Sequence, residues 1–257
     1  YYSAFVMNTA SHVLHGLWRA PEAQNHRFNS LRHWTSLAAE VDKAGYDLLF
    51  FADVFGLRAP WNGDWRKSVE GGIQIPVNDP SVLASALAAA TENLGIVFTS
   101  SIVQDHPFNF ARRMSSLDHY TDGRLGWNIV TSFNENMFRS FGHEGTLAHD
   151  ERYAWAYEYV DVAYKLWEGS WDDDAVIQDR ERRVYTDPSK VRYIDHVGEH
   201  FRVAGDEVGQ LRQVPARARL RDRPLRLLHP RRVGAQGFRR VAQVRTGGCE
   251  GVAQRAG

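Results

Sequence analysis

The chain has 257 residues, with 31 basic and 31 acidic side chains, 43% hydrophobic residues and 12% aromatic ones. That length suits one large domain or two small ones, and the apolar content can build a core, which excludes wholesale disorder. No apolar run reaches the roughly 18 residues needed to cross a bilayer, no signal-like segment opens the chain, and the single cysteine, Cys249, excludes a disulfide framework or a multi-cysteine zinc site; a cytoplasmic globular protein is the expectation.

The zero net charge cancels two unlike pieces. Residues 1–207 hold 19 Lys+Arg against 29 Asp+Glu, whereas residues 208–257 hold 12 Arg, no Lys and two acids, Asp222 and Glu250. Of 31 aromatic residues, Phe238 alone follows position 207. Residues 1–207 therefore form the expected folded part, and 208–257 an Arg-rich tail with an aberrant composition. The tail reads either as a basic arm for nucleic acid or an acidic partner, or as the product of a reading-frame slip in a GC-rich gene. Its composition favours the slip.

The predicted elements alternate between strand and helix. Tyr2–Met7 reads as a short strand, and Ser30 is placed to cap a helix carrying Leu31, Trp34, Leu37, Ala38 and Val41, stopped at Gly45. The apolar run 46–51 is a buried strand ending in Ala52-Asp53, and residues 56–80, rich in Gly, Pro, Trp and Asn, read as a long loop. Asp79-Pro80-Ser81 opens an Ala-rich helix, Leu94–Phe98 is a strand followed by Thr99–Ser101, and a helix follows His106-Pro107 with Phe110, Met114 and Leu117 on one face. Leu125–Val130 is a further strand. Over 150–168, Tyr153, Tyr157, Val160, Tyr164 and Trp167 form one helical stripe, and the acidic stretch 169–202 reads as an extended insertion ending in a strand-like His200–Val203.

Near-continuous apolar strands alternating with helices predict a parallel sheet covered by helices. No GxGxxG follows a strand, so the dinucleotide fingerprint is missing and a TIM (β/α)8 barrel fits better. Four or five strand–helix units are legible where such a barrel needs eight, so the barrel is expected to be incomplete.

In a barrel the chemistry sits at the carboxyl ends of the strands, which points to Asn8, Asp53, Thr99–Ser101 and Asn128. Each also suits ordinary turn chemistry, although Asp53 follows an apolar hexamer and is costly to bury. His149 and Tyr153 share a face in the first turn of the long helix, with Arg152 alongside, where free amides favour an anion; a solvated helix start is the other reading. Eleven histidines show no metal-ligand spacing, no GxSxG elbow appears, and no metal site or general acid or base is assigned. Trp18, Trp61, Trp65 and Trp127 lie near loops or strand ends, where they could wall a cavity for a planar cofactor or apolar substrate, or simply belong to the core.

Several segments together resemble the nitrilotriacetate monooxygenase family, a branch of the bacterial luciferase-like flavin monooxygenases. They are Phe51-Ala52-Asp53, residues 94–101 with His106-Pro107-Phe108, residues 116–124 with 127–132, His149–Tyr153, Tyr185–Pro188 and Ile194–Phe201. The resemblance spans about residues 4–205. It implies a luciferase-like TIM barrel that takes reduced FMN (FMNH2) from a separate NAD(P)H-dependent flavin reductase and uses O2 to oxygenate a small organic substrate. Family substrates include aminopolycarboxylates, organosulfur compounds and long alkanes. By the same resemblance Asp53 and Thr99 contact the flavin, Asn128 lies beside its ring system, and His149 and Tyr153 hold the phosphate end. A homo-oligomer stays open; membrane and nucleic-acid partners are not implied. After Val203 the pattern departs from the family. No serine follows Ser189, so the family's later phosphate-binding serine has no counterpart, and an inactive barrel fragment with a basic tail is the alternative.

Overall fold

The computed structural model describes residues 2–57 and 62–203. These all belong to one compact unit, Tyr1–Arg217. The Arg-rich stretch 208–257 and Trp61 lie outside the described residues.

Strand β1 (Ser3–Met7) is followed by helix α1 (Leu31–Lys43), strand β2 (Leu48–Ala52), the short helix α2 (Arg66–Glu70) and helix α3 (Ala84–Ala89). Then come β3 (Gly95–Ser101), α4 (Pro107–Tyr120), β4 (Leu125–Val130), α5 (Glu135–Ser140) and α6 (His149–Tyr164). Capping follows the sequence closely. The Ser30 side chain accepts from the His33 amide, Asp79 accepts from the Ser81 amide, and Gly45 leaves α1 at φ 78°, a conformation that disfavours any residue with a Cβ. Asp79 opens a 3-10 turn, Pro80–Leu83, before α3 begins.

The sheet is parallel throughout, in the order β1-β2-β3-β4. Its register sets Phe5 opposite Phe50, Phe50 opposite Val97 and Val97 opposite Gly126; two pairs further along β3 and β4, Thr99 faces Asn128. Because successive strand residues point to opposite faces, this register separates two side-chain sets. One holds Leu49, Phe51, Ile96 and Phe98, each at most 1% exposed, packed under Trp34, Ala84, Leu87, Phe110, Met114 and Tyr159. Each such side chain contributes about 1.5–3 kcal/mol by leaving water. The other set forms the inner face, where Phe5 is 54% exposed.

Four expectations need correction. The long loop contains α2, a five-residue turn opened by Asp64 accepting from the Arg66 amide and too short to leave an apolar period. Thr99–Ser101 form the last three residues of β3, which runs on past its apolar part because β4 pairs with it as far as Val130. The buried stripe of α6 is Ala156, Tyr159, Val162, Ala163, Leu166 and Trp167, whereas Tyr157 is 44% exposed. The sequence there is aromatic on several faces, and a π-helical turn over Lys165–Gly169 shifts the phase at its end. Finally, the insertion contains two antiparallel ribbons, β5 (Val176–Asp179) with β6 (Val184–Thr186) and β7 (His196–Val197) with β8 (Arg202–Val203).

Candidate functional site

The polar strand ends are joined across three strands. Thr99 Oγ1 donates to the Phe51 carbonyl at 3.0 Å, and Asn128 Nδ2 donates to Thr99 Oγ1 at 2.9 Å. Thr99 is buried, so its hydroxyl uses both its donor and an acceptor position to tie β2, β3 and β4 together. Asp53 lies two residues beyond Phe51, just past the end of β2. Burial pushes its carboxyl up to about 7 and the negative charge of Asp79 adds to this, while the Val54 amide, donating to Oδ1 at 2.9 Å, works the other way. Asp53 therefore sits near its own midpoint at neutral pH, able to present either a hydrogen-bond donor or an anion at a strand tip.

More hydroxyls follow along β3. Ser132 Oγ donates to Ser101 Oγ at 2.9 Å, and Ser100 Oγ donates to Gln104 Oε1 at 2.9 Å. The loop after β2 is fixed by α5. Asn134 caps that helix, and its Nδ2 donates to the Phe55 carbonyl at 2.9 Å, while Asn136 Nδ2 donates to the Leu57 carbonyl at 3.1 Å. Gly56 passes this contact at φ 82°, where a Cβ would sit 3.0 Å from Asn134 Nδ2. These supporting residues escaped the sequence reading; the available signal was Asn134, a favoured cap residue followed by Glu135 in the first turn.

His149 and Tyr153 stand together one turn apart at the start of α6, with ring centroids 4.8 Å apart. No side chain caps this helix, since Ala148 holds the cap position. Its free first-turn amides suit an anion, although Asp150 and Glu151 share that turn and His149 Nδ1 lies 3.0 Å from Asp150 Oδ1. Arg152 turns back to donate to the Leu147 carbonyl at 2.9 Å. Helix α6 meets the sheet through Tyr159, whose ring lies 6.1 Å from that of Trp127, the neighbour of Asn128.

Other strand-end and aromatic candidates have structural duties. Asn8 is 2% exposed and its Oδ1 accepts from Trp34 Nε1 at 3.1 Å, so it anchors α1. Trp127 belongs to the helix-side core, 4.3 Å from the Phe110 ring, because it alternates with Asn128 along β4. Trp18 donates to the Gly71 carbonyl at 2.9 Å, and Trp65 lies under the Arg66 guanidinium.

The segment 194–201 fastens the second ribbon to α6. Glu158 accepts from His196 Nε2 at 3.0 Å, from the His200 amide at 2.9 Å and from the Phe201 amide at 2.8 Å. Burial alone would raise its carboxyl, but these three donors outweigh it and hold the group down at about 2. Lys165 Nζ, which can only donate, lies 3.0 Å from His196 Nδ1 on the far side of the ring from Glu158. A Cβ at Gly198 would collide with the same carboxylate, which accounts for the glycine. The motif thus carries packing rather than site chemistry.

Comparison with known proteins gives consistent matches. The profile of the family described as luciferase-like monooxygenase matches residues 7–251. The chain is 50% identical over 203 residues to a long-chain alkane monooxygenase of Geobacillus thermodenitrificans (strain NG80-2), covering 79% of this chain and 46% of that one. It is 45% identical over 203 residues to a dimethyl-sulfide monooxygenase of Hyphomicrobium sulfonivorans (79% and 42% covered) and 35% identical over 198 residues to nitrilotriacetate monooxygenase component A of Aminobacter aminovorans (76% and 44%). The crystal structure of the long-chain alkane monooxygenase LadA superposes with a TM-score of 0.78 at 49% identity, over 80% of this chain and 47% of that one. A riboflavin lyase, RcaE, solved with modified FMN and its substrate riboflavin, gives 0.73 at 40% identity (79% and 45%). The chain spans less than half the length of the curated relatives it matches.

Proposed function

The chain belongs to the luciferase-like monooxygenase family, and from that premise we propose that it forms the front part of a flavin-dependent monooxygenase that binds reduced FMN at its strand tips. Its fold is that of the luciferase-like TIM barrel, of which the described residues supply four parallel strands. The observation that carries the flavin reading is the bonded set of Thr99 and Asn128 at the strand ends, with Asp53, whose carboxyl burial raises, just beyond β2. The residues fit the cofactor chemically. An isoalloxazine edge offers alternating donors and acceptors, which a threonine, an amide and a carboxyl near its midpoint can meet. A phosphate suits a helix start that no side chain caps, beside the His149 imidazole and the Tyr153 hydroxyl.

In this reading Asp53 and Thr99 hold the flavin, Asn128 orients its ring system, and His149 and Tyr153 hold the phosphate end. Bound reduced FMN supplies the activation of O2, and the protein orients it and keeps water away. Asp53 can keep or release a proton at its free carboxyl oxygen as the cofactor's charge requires. The flavin arrives reduced from a separate NAD(P)H-dependent reductase, and the oxygen acceptor is a small organic molecule. Placement in the nitrilotriacetate branch rests on segments 185–188 and 194–201, of which the second is the Glu158 clamp described above.

Anaerobic titration of the full chain with reduced FMN, followed by flavin fluorescence, tests the proposal. Saturable binding at one flavin per chain is expected, and weaker binding of reduced riboflavin, which lacks the phosphate. Absence of saturation overturns it.

A further inference from the structure

Asp53 stands where the sheet no longer holds the chain. The last pairs of β2 are Ala52 with Met7 on one side and Phe51 with Phe98 on the other, so Asp53 follows the final rung. Its carboxyl accepts from the Val54 amide, a bond to its own neighbour that anchors it to no other element. Residues 55–57 are gripped instead by α5, which arrives from the β4 side. Asn134 Nδ2 donates to the Phe55 carbonyl at 2.9 Å, Asn136 Nδ2 donates to the Leu57 carbonyl at 3.1 Å, and the Phe55 ring meets the Phe141 ring edge-on, 5.8 Å between centroids. Between these contacts Gly56 lies so close to α5 that a Cβ would come within 3.1 Å of the Asn136 Cβ and 3.3 Å of the Met137 nitrogen. Helix α5 is itself seated in the core by Met137 and Phe138, at most 2% exposed.

We propose that Asn134 and Asn136 are positioning residues: they clamp residues 55–57 and so hold the Asp53 carboxyl in its buried place at the β2 tip, and flavin affinity depends on them through Asp53. The flavin part rests on Asp53 as a flavin ligand; the clamp itself does not. Val54 alone separates Asp53 from the gripped segment, a span of about 7 Å in extended chain. A loop released at Phe55 therefore lets the carboxyl swing toward water, which favours its charged form. Burial raises this carboxyl and the charge of Asp79 adds to it, while Glu135 and Arg139, the charged groups of α5, pair with each other at 2.7 Å. Loosening the clamp thus lowers the proton affinity of Asp53, an effect that lost stability elsewhere in the fold does not produce. Asn134 divides its amide between two duties: Oδ1 caps α5 by accepting from the Asn136 amide at 3.1 Å, and Nδ2 serves Phe55.

Carbon-13 NMR titration of the side-chain carboxyls of the full chain, with Asp53→Asn assigning the signal, tests the clamp without flavin. The parent Asp53 should titrate at about 7. Asn134→Ser keeps an oxygen to cap α5 and deletes the donor to Phe55, so the titration should move down by about one pH unit, a tenfold loss of proton affinity. Asn136→Ala, which leaves the cap intact, should move it the same way by less. Ser30→Ala removes the cap of α1 and lowers stability, but should leave the Asp53 titration in place. Under nitrogen, reduced FMN should bind Asn134→Ser about three- to tenfold more weakly than the parent chain. An Asp53 titration unmoved in both asparagine variants, or moved equally in Ser30→Ala, overturns the inference, and so does a shifted titration with flavin affinity equal to the parent's. A shifted titration in a chain that binds no flavin supports the clamp and overturns the flavin reading instead.

Discussion

The two faces of the four-stranded sheet are built from the same strands yet do opposite things. The helix side is apolar from Leu49 to Phe98 and closed by Trp34, Phe110 and Tyr159. The inner side runs from exposed phenylalanine to a bonded threonine–asparagine pair, and an uncomfortably buried carboxyl stands just past the neighbouring strand. The helix side supplies the stability that lets the strand ends tolerate polar groups that stability alone would not select.

Breaking the helix side should have the largest effect. Phe110→Ala removes a ring that touches Trp127, Tyr159 and Trp167 and should cost about 3–5 kcal/mol in urea unfolding. If the two sides were equivalent, substitutions at the strand ends would behave the same way. Asp53→Asn should instead stabilise, and only at higher pH. A carboxyl raised from 3.8 to about 7 is protonated in the folded chain and ionised in the unfolded one between those values, so stability falls as pH rises through that window. The asparagine variant should therefore gain on the order of 2–4 kcal/mol at pH 8 and almost nothing at pH 4, read from unfolding curves at the two values. An equal change at both would place the carboxyl in water.

Thr99→Val keeps the shape and deletes the hydroxyl, leaving an Asn128 donor without this acceptor. It should cost about 1–3 kcal/mol, measured by thermal unfolding. The smallest change in stability is expected at His149, whose side chain is 68% exposed. His149→Ala should move stability by no more than about 0.5 kcal/mol. Yet it should abolish most of the preference for reduced FMN over reduced riboflavin in parallel binding titrations.

Much of the fold was legible because local rules and burial agree along these stretches. Ser30, Gly45, Asp79 and the His106-Pro107 pair mark helix limits through capping, and the apolar runs at 48–51 and 95–98 are buried on both sides in a parallel sheet. Helices α2 and α5 escaped because five or six residues hold too little periodicity to show a face. The α6 stripe was misphased because Trp155, Tyr157, Tyr159 and Tyr164 spread aromatic surface around the helix, and only packing against Phe110 and Trp127 selects Tyr159. At the site, spacing suggested polar strand ends, but Asn8 and Asn128 look alike in sequence. Their roles divide because Asn8 shares the helix-side face with Phe51 and bonds to Trp34, whereas Asn128 shares the inner face with Thr99.

The central claim is that Asp53 and its bonded neighbours hold reduced flavin. Isothermal calorimetry under nitrogen, titrating reduced FMN into the parent chain and into Asp53→Ala, tests it most directly. The account predicts a dissociation constant at least tenfold higher in the variant, with an unchanged far-UV spectrum. Equal affinity in the two folded proteins would contradict it.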